Sequence, residues 1–125
     1  MLPSKIVMMR ERRKEVRIQE EDKVVLGVPA DGAEEDPERI LLALTRDISP
    51  GGARLVSGIA VHEGDRVRLE IGLTSSRRLF RGTGTVRWVS RLFKDDIYEI
   101  GVEFAEVDAE RVGALLEHIY GRPAD

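Results

Sequence analysis

The sequence predicts an all-β fold, a six-stranded antiparallel barrel with one C-terminal helix. Three observations carry this. Short segments alternate apolar and polar side chains with period two, as in Val67-Arg68-Leu69-Glu70-Ile71 and Tyr98 to Phe104. Turn-forming clusters such as Ser49-Pro50-Gly51-Gly52 separate them. Only the end of the chain changes period: Val112, Leu115, Leu116 and Ile119 fall on one helical face. Regularly spaced short strands ending in one helix suit a small barrel with the helix over one opening.

Residues 1–9 read as a flexible tail and Arg10 to Arg17 as a basic segment. Asp22 to Pro29 forms the first strand of the pattern. Asp31 to Pro37, rich in acid with Gly32 and Pro37, is a loop. Arg39 to Thr45 is apolar, and the Ser-Pro-Gly-Gly turn that follows so soon favours strand over helix. Ala53 to Ser57 is a short strand. Leu79 to Val89 is a long one whose Gly82 and Gly84 suggest a bulge or tight bend. In it Val86 and Trp88 alternate with Arg87, which leaves Trp88 either in the barrel core or on a ligand face. Lys94 to Asp96 makes a turn. Asp108 is placed to cap the final helix, and Gly121 and Pro123 stop it. The barrel and helix occupy residues 10–120, with 121–125 a short tail.

The 125-residue chain is one domain's worth and long enough to bury a core without cross-links. It has no cysteine and only two histidines, His62 and His118, at no ligand spacing. Cys-ligated zinc, iron–sulfur clusters, thiol catalysis and a His-based triad are therefore not expected, nor is any metal, cofactor or enzymatic activity. Ile6 to Met9, the longest apolar run near the start, is too short for a signal peptide or a membrane span, so the expected compartment is the cytoplasm. Net charge is −3, but it is unevenly spread. Residues 1–17 carry six basic groups against two acids, while 31–38 carry five acids and no base. A basic arm on a mildly acidic body can grip a compact anion. It does not resemble a surface that tracks duplex nucleic acid. Sixteen of the twenty basic residues are arginine, whose planar fork suits phosphates and guanine edges.

Two motifs bear chemistry. Arg13-Lys-Glu-Val-Arg17 is an R-x-x-x-R, and two such guanidinium groups can converge on a phosphate or on the O6/N7 edge of guanine. Asp47-Ile-Ser49-Pro-Gly-Gly52 is a D-x-S-x-x-G between two strands. Pro50 and Gly51 fit the centre of a type II turn. Asp47 can accept from guanine N1–H and N2–H₂, Ser49 can donate or accept, and Gly52 permits close backbone approach. Either motif alone also fits a solvated tail or an ordinary hairpin turn.

Taken together, and with Gly84-Thr-Val-Arg-Trp-Val and Glu99-Ile-Gly-Val-Glu-Phe in the later strands, they resemble the PilZ domain family over residues 10–120. Members of that family typically bind the bacterial second messenger cyclic di-GMP. The resemblance implies that Arg13 and Arg17 clamp a guanine edge and the phosphates. It further implies that Asp47 reads guanine donors, Ser49 touches phosphate or guanine, and Gly51 and Gly52 allow close approach. Arg12, just before the first motif, would favour two stacked ligand molecules per chain. Trp88 could offer a stacking face. The acidic stretch 31–38 departs from the family pattern and would compete with ligand phosphates if folded near the arginines.

The expected function is thus a stand-alone cyclic di-GMP receptor in which the Arg arm orders over the ligand and changes the interaction surface. The expected downstream partner is a separate protein of the motility, exopolysaccharide or pilus machinery. The alternative is a PilZ-like interaction adaptor that does not bind the nucleotide. A single-stranded nucleic-acid binder is disfavoured because one tryptophan, two tyrosines and three phenylalanines leave too few exposed stacking rings.

Overall fold

The computed structural model describes residues 5–8, 16–19, 21–28, 39–58, 61–74, 76–92 and 96–120. Its strands are β1 (Lys5–Met8), β2 (Val16–Gln19), β3 (Lys23–Val28), β4 (Arg39–Ser49), β5 (Gly52–Ser57), β6 (Arg66–Leu73), β7 (Arg78–Arg91) and β8 (Tyr98–Phe104). One helix follows, α1 (Glu106–Ile119). Each strand pairs antiparallel with its neighbours in the order β4-β3-β6-β7-β8-β5, and β5 pairs back onto β4. That circuit is the closed six-stranded barrel the alternation predicts, with one C-terminal helix. Closure leaves no free edge among these six strands.

The stretch expected as a tail contributes a strand. Residues Lys5–Met8 pair with Val16–Gln19 as a hairpin, and β2 joins the barrel through Ile18 opposite Ile48. Ile18 is what holds it there, because its side chain is buried in the core beside Ile48. The core itself follows the period-two pattern, with Val24, Leu26 and Val28 of β3 meeting Leu69 and Ile71 of β6, Leu55 of β5 and Ile100 of β8. Outside, the alternation of β4 leaves Ile40, Leu42 and Leu44 facing solvent, Leu42 with 74% of its surface exposed.

Two register shifts break the alternation. Opposite β5, β4 carries an extra residue between Thr45 and Asp47; opposite β8, β7 carries one between Val86 and Trp88. The skipped residues are Arg46 and Arg87. A one-residue bulge flips every later side chain to the other face. Thr45 therefore pairs with inward Leu55, yet Asp47 pairs with Arg54 on the outside. Val86 likewise points into the core, whereas Trp88 turns outward. Gly82 and Gly84 do not make the bulge expected of them. A Cβ at Gly84 would lie 2.7 Å from the Glu103 carbonyl oxygen, and one at Gly82 would strike the Phe80 ring, so both glycines answer to close packing.

Helix α1 covers the barrel along β7 and β4, burying Val112 and Leu116, with Leu115 packed against the core's margin. Its start corrects the sequence reading. The N-cap is Ala105, whose side chain can make no cap bond, and Asp108 lies inside the first turn. Instead of capping, Asp108 is buried and accepts from the Thr83 backbone N–H at 2.6 Å and the Thr83 hydroxyl at 2.8 Å. It ties the helix to β7. Removing a buried charged acceptor strands both donors, so Asp108→Ala should cost about 1–3 kcal/mol of stability. The exposed change Glu110→Ala should stay within about 0.5 kcal/mol. Urea unfolding of the two variants checks this contrast.

Candidate functional site

The bulges build a row across four adjacent strands. In register, Asp47 on β4 faces Arg54 on β5, Arg54 faces Gly101 on β8, and Gly101 faces Trp88 on β7. All four lie on the outer face of the barrel. From β2, Arg17 closes the row at the Asp47 end: its Nη1 donates to Asp47 Oδ1 at 2.7 Å. The two sequence motifs, thirty residues apart, thus meet at one carboxylate.

Asp47 is only 1% exposed because two guanidinium groups cover it. Arg17 takes Oδ1, while Arg54 grips Oδ2 through Nε at 2.7 Å and through a second, very short contact from Nη2. Charge-assisted pairs of this kind are among the stronger polar contacts in proteins, and burial raises the stakes of breaking one. The Arg54 guanidinium is held above its usual pKa, chiefly by its hydrogen bond to Asp47 and against the opposing effect of burial, so it stays cationic. Arg54 in turn lies 3.6 Å from Glu99, which also faces Arg46 at 3.8 Å. Arg54 escaped the sequence reading because it belongs to neither motif. The one available signal was its position in a β-strand pattern as a charged residue between Ala53 and Leu55.

Ser49, Gly51 and Gly52 sit in the β4–β5 turn. Ser49 is fully buried, its hydroxyl directed at the Gly52 carbonyl at 3.4 Å, so the free protein does not present it to a ligand. The glycine requirement at position 52 comes from the barrel: a Cβ there would lie 2.3 Å from the Val102 carbonyl oxygen. The Gly51 carbonyl accepts from the Phe104 N–H at 2.9 Å, which staples the turn to the end of β8. The type II turn is not formed, because Gly51 lacks the positive φ its position would need; among the described glycines only Gly64 has one. Arg12 and Arg13 lie outside the described residues, as does the acidic stretch 31–38.

Trp88 is 37% exposed, and its indole lies against Gly101. A Cβ at Gly101 would come within 2.3 Å of the ring, so glycine is what leaves room for the indole over β8. The result is a shallow face with a guanidinium pair at one end and an aromatic plane at the other. A cleft of about 820 Å³ lies elsewhere, between β6, β7 and the start of α1, and takes only Gly51 from the motifs. The chemistry is therefore assigned to the row. Among the described residues no cluster of His, Cys, Asp or Glu could hold a metal ion, and no helix is long and apolar enough to cross a membrane.

Known proteins bear on this arrangement. The profile of the PilZ domain matches residues 11–121, almost the entire chain. The chain belongs to the PilZ domain family. Among solved structures, this PilZ domain is similar to the Bacillus subtilis inhibitor of motility MotI/DgrA, with a TM-score of 0.62 and 22% identity over 90% of this chain and 54% of that one. It is also similar to the PilZ domain of Escherichia coli YcgR solved with c-di-GMP, at a TM-score of 0.57 and 18% identity over 86% of this chain and 93% of that one. A third similar structure is MrkH from K. pneumonia in its apo state, at a TM-score of 0.63 and 20% identity over 89% of this chain and 51% of that one. This chain spans about half the length of MotI/DgrA and of MrkH. At such identities the likeness is one of fold. No curated protein matches the chain.

The Gly101–Trp88 contact gives a direct check of the face. Trp88 is the single tryptophan, so its emission reports this position alone. Gly101→Ala should lift the indole off β8, shifting its emission to the red and increasing quenching by iodide, while far-ultraviolet circular dichroism stays unchanged. Identical spectra for both proteins would mean that the ring does not lie on Gly101.

Proposed function

We propose that this PilZ domain is a receptor for cyclic di-GMP. The observation that carries the proposal is the meeting of Arg17 and Asp47 at 2.7 Å, which brings both motifs of the family to one place on the barrel's outer face. Family membership and the fold-level likeness to the YcgR domain solved with c-di-GMP support it. Arg17 offers donors to a phosphodiester or to a guanine Hoogsteen edge, and Trp88 offers a plane on which a purine can stack. Arg13 is proposed as the second arm of the clamp, and Arg12 as the residue that admits a second, stacked ligand. Asp47 contributes in two ways. It fixes the direction of Arg17 and Arg54, and it can exchange one of these partners for guanine N–H donors. Ser49, Gly51 and Gly52 act by holding the turn that carries Asp47.

The proposed relay starts from the same pair. Arg17 already has its seat on Asp47 before any ligand is present. The ligand therefore acts on the residues that precede it, drawing Arg12 and Arg13 onto the face and remodelling the surface a partner protein would meet. A ligand shifts such an equilibrium only by as much as it prefers one state. The adaptor reading stands as the alternative, since MotI/DgrA is named as an inhibitor of motility.

Calorimetric titration of the full chain separates the two. Cyclic di-GMP should bind with measurable heat, and linear GMP far more weakly, because only the linked pair of guanines spans the arm and the row. Arg17→Ala should cost about 2–5 kcal/mol of binding, the range for removing one partner of a charge pair. Asp47→Ala should cost more than Ser49→Ala in folded variants. Absence of binding by the wild-type chain would favour the adaptor.

A further inference from the structure

We infer that Glu99 is a built-in restraint on this site: it holds Arg46 and Arg54 in the free protein and so limits how tightly an anionic ligand is taken. The inference rests on the cyclic di-GMP reading and extends it to residues outside both motifs. Glu99 stands on β8, two residues before the glycine that carries Trp88. Its Oε2 lies 3.6 Å from Arg54 Nη1 and 3.8 Å from Arg46 Nε. Both separations are too long for hydrogen bonds. The same oxygen is buried and has no hydrogen-bond partner, in a side chain only 13% exposed. A desolvated carboxylate oxygen without a donor is costly. Here the attraction of two cations offsets that cost.

Asp47 and Glu99 hold Arg54 differently. Arg54 is bound to Asp47 at hydrogen-bond length through Nε, whereas its Nη1 only leans towards Glu99. Arg46, the extra residue of the β4 bulge, has half of its side chain exposed. These are the donors an incoming phosphate can capture. A phosphodiester oxygen at 2.7–2.9 Å would form charge-assisted bonds that the loose contacts to Glu99 do not. Arg54 also lies in register between Asp47 and Gly101, so a ligand reaching from Arg17 to Trp88 must pass over it. Glu99 opposes this twice, by competing for the same two cations and by repelling the phosphate. Arg46 and Arg54 are therefore ligand-contacting residues, and Glu99 is a positioning residue that acts through them.

Removing one unit charge beside a partly exposed anion site is worth roughly three- to tenfold in affinity. Glu99→Gln should accordingly bind cyclic di-GMP three- to tenfold more tightly than wild type in 50 mM salt. The gap should narrow as salt is raised to 500 mM, because screening weakens charge effects but not shape effects. Arg46→Gln, a change on the exposed surface, should weaken binding several-fold. Calorimetry on the full chain, with unfolding curves for each variant, reads all three. Binding by Glu99→Gln that equals or falls below wild type would overturn the restraint while leaving the receptor reading in place. Unchanged binding by Arg46→Gln would do the same even if the Glu99 variant failed to fold. Silence from every protein would defeat the receptor reading and the restraint together.

Discussion

One carboxylate organises this molecule's outer face. Asp47 is buried, yet it carries charge, and a buried charge is tolerated only where partners offset its desolvation. It has two, Arg17 and Arg54, one on each oxygen. Through Arg17 it anchors β2, the second strand of the N-terminal hairpin. Through Arg54 it orders the strand beside it, and through Arg54 and Glu99 its influence reaches β8. Without Asp47, Arg17 and Arg54 would repel each other across a half-buried surface, and the rim would lose the direction of its donors.

What delivers Asp47 and Trp88 to that face is a pair of bulges, one in each of their strands. Both occur where an arginine is the extra residue, Arg46 in β4 and Arg87 in β7. Each extra residue advances the side-chain phase by one, and the two shifts bring Asp47 and Trp88 to the same side of the sheet. The barrel's closed hydrogen bonding makes this expensive to undo, since removing a bulge would drive a charge or an indole into the apolar core. Gly101 completes the arrangement by leaving the space the indole fills. The scaffold and the site are thus one construction, and the same two irregularities that interrupt the pleat create the surface.

The sequence made the barrel legible because its strands obey period two where one face is buried, as in Val67, Leu69 and Ile71. It made the motif residues legible by type and spacing. It did not disclose the phase of Trp88, because strict alternation from Val86 sends position 88 inward and only the register against β8 reveals the bulge. Nor did it disclose that Asp108 serves Thr83 instead of the helix end, since an acid near a helix start looks the same in either role. Arg54 was hard to single out for a related reason. A lone arginine between Ala53 and Leu55 marks only an outward strand position, and its role emerges when the fold sets it against Asp47. The docking of the β1–β2 hairpin on the barrel sets Ile18 opposite Ile48, a contact thirty residues away that local pattern cannot supply.

The central claim is that the two motifs are coupled through the Arg17–Asp47 pair before any ligand binds. A double-mutant cycle on stability, using Arg17→Ala, Asp47→Ala and the double variant without nucleotide, tests it most directly. Residues that share a buried charge pair show coupling energies of about 0.5–3 kcal/mol. A value of about 1 kcal/mol or more is the result expected here, with the pair favouring the folded state. Simple additivity of the two losses, with coupling within about 0.3 kcal/mol of zero, would contradict the account and leave the motifs as neighbours in the family signature only.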